Sequence, residues 1–125
     1  MTLRAIRSDR LSPSVGPFSQ AISTGDLIFL SGQVGLDADG KLVEGGVAAE
    51  AEQIFRNLAA VLDAAGKSFA DVVRVGVFLI DISDFAALNA IYAGHFEQPY
   101  PARTTVAVAA LPLGAAVEID LVVKA

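Results

Sequence analysis

The sequence contains no cysteine and a single histidine, and these two scarcities remove a large share of possible chemistry. Without thiols there is no disulfide framework, no thiolate nucleophile and no cysteine-based zinc or iron–sulfur site. His95 has neither histidine nor cysteine beside it and falls near the end of a predicted helix, so it reads as a partly exposed surface or capping residue, and no metal site is assigned. Ser12, Ser14, Ser19, Ser23 and Ser31 have no base that the sequence places next to them, so a Ser-His-Asp triad is not expected. The glycines form neither a Gly-x-Gly-x-x-Gly nor a Gly-Lys-Ser/Thr pattern at a strand-to-helix junction, which leaves a nucleotide cofactor without support.

Long apolar runs are missing too. The uncharged stretch from Thr104 to Val117 is too short to span a bilayer as a helix and is interrupted by Pro112 and Gly114, so no membrane span is expected. Residues Met1 to Arg7 carry charge with no apolar run behind them, unlike a secretory signal; together with the lack of cysteine this makes the cytoplasm the expected location. Basic residues are few, 9 against 14 acidic ones, and a formal charge of −5 disfavours a phosphate backbone as partner.

What the chain has in abundance is apolar side chain, 54% of 125 residues. That length fits one domain with a real core, yet a chain of this size has a large surface for its volume, and self-association is one way to cover the apolar excess. Neither repeats nor linker-like tracts divide it, so residues 1–125 are expected to form a single unit.

The periodicities order its parts. Gly25-Asp26 between Ala21 and Ser31, followed by Leu27-Ile28-Phe29-Leu30, suggests a hairpin whose second strand is well buried, and Asp39-Gly40 marks another turn. Apolar residues at Val47, Ala51, Ile54, Phe55, Leu58, Val61, Leu62 and Ala65 follow a 3.6-residue period and predict a helix that Gly66 stops. Val72 to Ile82, rich in β-branched and aromatic residues, reads as a central strand. A second helix capped by Ser83 or Asp84 follows, with Phe85, Leu88, Ile91, Tyr92 and Phe96 as its inner stripe up to Pro99-Tyr100-Pro101. Strands over Arg103–Ala110 and Val117–Val123 complete the order β-β-α-β-α-β-β. The last alternates Val117, Ile119, Leu121 and Val123 with charged residues. Two helices cover only one face of such a sheet and leave the other to a partner or to water.

Two charged residues stand out by context. Arg103 opens a strand of otherwise small, uncharged residues, either covering apolar surface with its stem or offering its paired N–H donors to a carboxylate. Glu118 is the first charge of the last strand, out of phase with the core stripe. If the chain reverses near Leu111-Pro112, the two lie at opposite ends of neighbouring strands, roughly 15–20 Å apart at about 3.3 Å per residue. One chain does not easily join them, and a pocket that uses both would borrow Glu118 from a second subunit.

The chain resembles the Rid family, also called YjgF-type or reactive intermediate deaminase proteins. The resemblance runs through Gly16-Pro17-Phe18-Ser19-Gln20-Ala21, Phe29-Leu30-Ser31-Gly32-Gln33, Asn57, Ala65-Gly66, Asp71-Val72, Val77-Phe78-Leu79-Ile80-Asp81, Asp84-Phe85, Asn89, Tyr92, Pro101-Ala102-Arg103, Leu111-Pro112 and Glu118-Ile119. It implies a chorismate-mutase-like α/β (α+β) fold, one mixed sheet with two helices on one face, assembled as a homotrimeric barrel with ligand clefts between subunits. It also implies hydrolysis of reactive enamines and imines released by pyridoxal-phosphate enzymes to 2-oxo acids and ammonia, with no cofactor and no metal. By the resemblance Arg103 binds the substrate carboxylate and Glu118 positions or activates water, while Ser31, Gly32 and Asn89 line the cleft. Phe18 and Thr105 stand where the best-known deaminating members commonly carry tyrosine and cysteine, which bears on substrate preference. A non-catalytic carboxylate-binding or regulatory protein using the same cleft is the alternative, and a ribonuclease or translation inhibitor the third; an acidic chain without a basic-aromatic strip suits the last poorly.

Overall fold

The computed structural model describes residues 2–125. A six-stranded sheet has the spatial order β1-β2-β3-β6-β4-β5. Its strands are β1 (Arg4–Ile6), β2 (Ala21–Ser23), β3 (Leu27–Gln33), β4 (Val72–Leu79), β5 (Ala102–Ala107) and β6 (Val117–Lys124), with helices α1 (Gly46–Ala64) and α2 (Phe85–Tyr92). The sheet is mixed: β4 and β5 run parallel, while every other pair is antiparallel.

The predicted hairpin is β2–β3, turning at Gly25, whose φ of 102° lies in the left-handed region that glycine tolerates. Helix α1 buries Ala51, Ile54, Phe55, Leu58, Val61 and Leu62. It closes with Gly66 at φ 72°, where the Gly66 N–H donates to the Asp63 carbonyl and the Lys67 N–H to the Leu62 carbonyl, the paired bonds of a Schellman turn. Strand β6 shows the expected alternation: Val117, Ile119, Leu121 and Val123 are buried beneath the helices, and its even-numbered residues look the other way.

Several expectations need correction. Strand β3 is buried on one face only, with Ile28 and Leu30 in the core and Phe29 outside it, and strand β5 ends at Ala107 rather than Ala110. A strand at Arg4–Ile6, too short to show a period, pairs with β2. Strand β4 ends at Leu79 rather than Ile82, because Asp81 accepts the Ser83 N–H and starts a short 3-10 turn over Ile82–Asp84. Helix α2 stops at Tyr92, short of Phe96, and the Phe85 side of its stripe is open to solvent. Most consequentially, β5 and β6 do not pair. The chain turns at Pro112–Gly114, as the Leu111-Pro112 signal suggested, but β6 then inserts between β3 and β4, leaving β5 as an edge strand.

The two helices cover one face of this sheet and fill it with a common core. The opposite face is bare. Phe29 and Val106 are 46% and 39% exposed on it, and a shallow hollow of about 370 Å³ is lined there by Phe29, Arg74, Phe78, Thr104, Val106 and Asp120. Among the described residues no helix is long and apolar enough to cross a membrane.

Candidate active site

Strand register decides where the predicted residues go. On β4, Val75 is paired with Arg103 of β5, and Phe78 with Glu118 of β6. Paired residues project to the same side of a sheet. Arg103 therefore shares the helix-covered face with the buried Val75, and Glu118 shares the bare face with Phe78. Two strand spacings and three residues separate them, roughly 14 Å between Cα atoms, slightly less than the hairpin geometry implied, but they lie on opposite faces. One chain cannot bring both side chains to one ligand.

The first half of the site is the open seam between α2 and β5. The Arg103 guanidinium carbon lies 4.5 Å from the centroid of the Tyr92 ring and 5.4 Å from that of Phe85. Burial pushes the Tyr92 phenol up, against the pull of the neighbouring arginine, so the phenol stays neutral. Among the described residues no carboxylate pairs with Arg103. Arg74, close by on the bare face, differs: its guanidinium donates to the Val75 carbonyl and to Thr104 Oγ1, both at 3.2 Å. Two further polar atoms at the seam are buried without a hydrogen-bond partner, Asn89 Oδ1 and Thr105 Oγ1. Asn89 sits between Phe85 and Tyr92 on α2, and Thr105, paired with Val77, follows Arg103 on the same face of β5. Orphaned polar atoms in a buried setting cost stability unless a ligand or water satisfies them.

The second half lies across β3 and β6. A β-carbon on Gly32 would stand 2.7 Å from a Glu118 carboxylate oxygen, so the absence of a side chain at 32 is what gives that carboxylate its place. Burial raises the Glu118 pKa, and the Asp120 carboxylate, two residues along the same face, raises it further. Asp120 is itself raised by burial, against the pull of the Gly76 N–H and of Arg74. Ser31 Oγ donates to the Ser19 carbonyl at 2.6 Å, and its N–H donates to the Gln20 carbonyl, which fastens the loop ahead of β2 to β3. That loop displays Phe18, half exposed, beside a hollow of about 670 Å³ shared with Leu11, Pro13 and Ser14. The structure thus gathers Arg103, Asn89 and Thr105 at one place, and Ser31, Gly32 and Glu118 at another with Phe18 on the attached loop.

Comparison with known proteins gives these two half-sites a context. The family model described as Endoribonuclease L-PSP matches residues 9–125. The human 2-iminobutanoate/2-iminopropanoate deaminase is 44% identical over 120 residues, covering 95% of this chain and 88% of the relative. Protein DfrA of Myxococcus xanthus is 47% identical over 125 residues, covering 98% and 95% respectively. The crystal structure of RidA from the Antarctic bacterium Psychrobacter sp. PAMC 21119 superposes with a TM-score of 0.92 at 44% identity, covering 98% of this chain and 99% of that one.

The chain belongs to the Endoribonuclease L-PSP family, the Rid or YjgF-type proteins. The fold of this Rid protein, one mixed six-stranded sheet with two helices on one side, is the fold that the resemblance implied.

In the sequence nothing assigns a role to Phe85, Tyr92 or Asp120. The two aromatics fit a core stripe, and only their spacing of two helical turns hints that they frame a common neighbour. Asp120 was visible as a charge in phase with Glu118, a like-charge neighbour that alters proton affinity. His95 stacks on Phe55, with centroids 4.1 Å apart and planes 10° apart, and burial lowers its pKa while Glu52 opposes that shift. Among the described residues no group of histidine, aspartate and glutamate side chains could hold a metal ion.

Proposed function

We propose that this protein hydrolyses 2-imino acids, the tautomers of reactive 2-enamines such as 2-aminoacrylate, to 2-oxo acids and ammonia, in clefts formed between subunits of a homotrimer. The observation that carries this reading is the separation of the two half-sites on opposite faces of one sheet. The α2/β5 seam of one subunit supplies Arg103, Asn89 and Thr105, and the β3/β6 surface of its neighbour supplies Glu118, Gly32 and Ser31. The bare sheet face, with its exposed Phe29 and Val106, is the surface that assembly would cover. The curated relatives named as imine deaminases, alike over nearly their whole length, support the same reaction.

The chemistry fits these groups. Arg103, half-buried and paired with no carboxylate among the described residues, offers N–H donors to the substrate carboxylate. The imine carbon is already electrophilic, so the protein need only bring a water to it and manage protons. Glu118 takes a proton from that water as its oxygen bonds to the imine carbon, and the nitrogen gains one to become an amine. Collapse of the resulting carbinolamine breaks the C–N bond, forms the C=O bond of the oxo acid and releases ammonia. A carboxyl group whose pKa is raised by burial and by Asp120 suits this exchange better than an ordinary surface carboxylate. Asn89 Oδ1 and Thr105 Oγ1 accept or relay hydrogen bonds at the nitrogen or the water. The route uses no metal and no cofactor.

RNA cleavage, which the family description names, receives less support from this chain. Its formal charge is −5, and two of its exposed arginines are engaged by carboxylates, Arg7 with Asp9 at 2.7 Å and Arg10 with Asp63 at 2.6 Å.

The test generates 2-iminobutanoate in situ with an amino-acid oxidase and follows oxo-acid and ammonia release with and without the protein. Native protein accelerates release, and Arg103→Ala reduces the acceleration by about tenfold or more, as expected when a charge-assisted carboxylate anchor is removed. Equal release with native and variant protein would refute the assignment.

A further inference from the structure

We infer that the Phe85 and Tyr92 rings form a slot that sets the plane of the Arg103 guanidinium, making them positioning residues for carboxylate recognition. The inference rests on the function proposed above, but its geometry belongs to the single chain. Phe85 and Tyr92 open and close α2, two turns apart on one side of the helix, and both rings come within 5.4 Å of the same guanidinium carbon.

An arginine on an edge strand has many rotamers, and binding must fix one of them. A ring on each of two sides removes most of that freedom before the ligand arrives, while leaving the N–H edge free to meet a carboxylate. Aromatic rings suit this task better than a carboxylate would. A carboxylate would neutralise the cation and occupy the donor fork, whereas ring contacts leave N–H donors for a ligand. The contrast with Arg74, whose guanidinium is spent on a backbone carbonyl and a threonine, marks Arg103 as the one held ready.

The two rings do different work. Tyr92 is buried and packs against Phe55 and Phe96, so its position is fixed by the core. Phe85 is 40% exposed, and little of the core depends on it. Phe85 is therefore the ring at which positioning can be separated from folding.

The experiment compares native protein with Phe85→Leu, Phe85→Tyr and Arg103→Ala. Phe85→Leu, which keeps an apolar side chain but no ring, raises KM for 2-iminobutanoate by about threefold to tenfold with kcat changed less than twofold, the range expected for losing one cation–π contact. Phe85→Tyr restores the native KM, and the melting temperatures of both variants stay near the native value. A native KM in Phe85→Leu, or equal impairment in the leucine and tyrosine variants, overturns the slot. A second readout needs no turnover: the Arg103 Nε–H proton resonance, assigned by its loss in Arg103→Ala. In native protein ring currents shift it upfield of an exposed arginine, and Phe85→Leu moves it back. An unshifted native resonance overturns the slot even if the imine is hydrolysed. A shifted one upholds it even if the substrate proves different.

Discussion

At the scale of single residues, the proposed proton chemistry depends on two carboxylates, Glu118 and Asp120, and on the glycine beside the first. Gly32 leaves room for Glu118, so Gly32→Ala pushes the carboxylate aside. Because the displaced group is the end of a flexible side chain, stability changes little, while imine turnover falls roughly ten- to hundredfold, as misplacement of a reacting group by about an ångström does. Stopped-flow turnover and a thermal melt on the same sample check both halves of that statement. The pH dependence has a definite sign. In the proposed reaction Glu118 must be ionised to take a proton from water, and its pKa is raised, so kcat/KM is expected to fall as pH drops through a value above the ordinary carboxylate range. Asp120→Asn removes the neighbouring charge that raises it, which moves this acid limb to lower pH; Glu118→Gln lowers the rate and abolishes the limb. An acid limb unmoved by Asp120→Asn would show that another group titrates.

Elements are where the sequence was most readable and where it also misled. Helix α1 and strand β6 announced themselves because each buries one face against the same core, and a buried face imposes a period that local sequence records. Which strands become neighbours is not recorded in that way. Strand β6 has the same alternation whether it pairs with β5 or slips between β3 and β4, so the apparent β5–β6 hairpin was an inference from chain order alone. The β4–β5 register, which puts Arg103 and Glu118 on opposite faces, likewise becomes visible only with tertiary structure. Arg103 and Glu118 were nonetheless legible as candidates, since each is a charge among apolar neighbours, whereas Phe85 and Tyr92 looked like ordinary core aromatics. One tertiary contact at this scale is directly testable. Glu50 of α1, 5% exposed, accepts the Ala116 N–H at 2.8 Å and so ties the helix to the start of β6. Glu50→Ala leaves that N–H without its partner and costs about 1–3 kcal/mol, read as a lower urea midpoint at unchanged slope.

For the molecule as a whole, the bare sheet face and the divided site make the same demand. On the proposed reading, joining copies of the chain covers Phe29 and Val106 and brings to one cleft a guanidinium and a carboxylate that one chain keeps on opposite sides. The proposed homotrimer predicts a light-scattering mass of three times the 12.9 kDa chain. The most direct test of the shared cleft is complementation. Arg103→Ala and Glu118→Gln proteins, each nearly inactive, are co-expressed with different tags and purified as mixed assemblies. Every mixed trimer has one cleft in three that joins an intact arginine to a neighbour's intact glutamate, so about a third of native imine turnover returns. Activity no higher than that of the two parent variants would show that Arg103 and Glu118 of neighbouring subunits do not share a cleft.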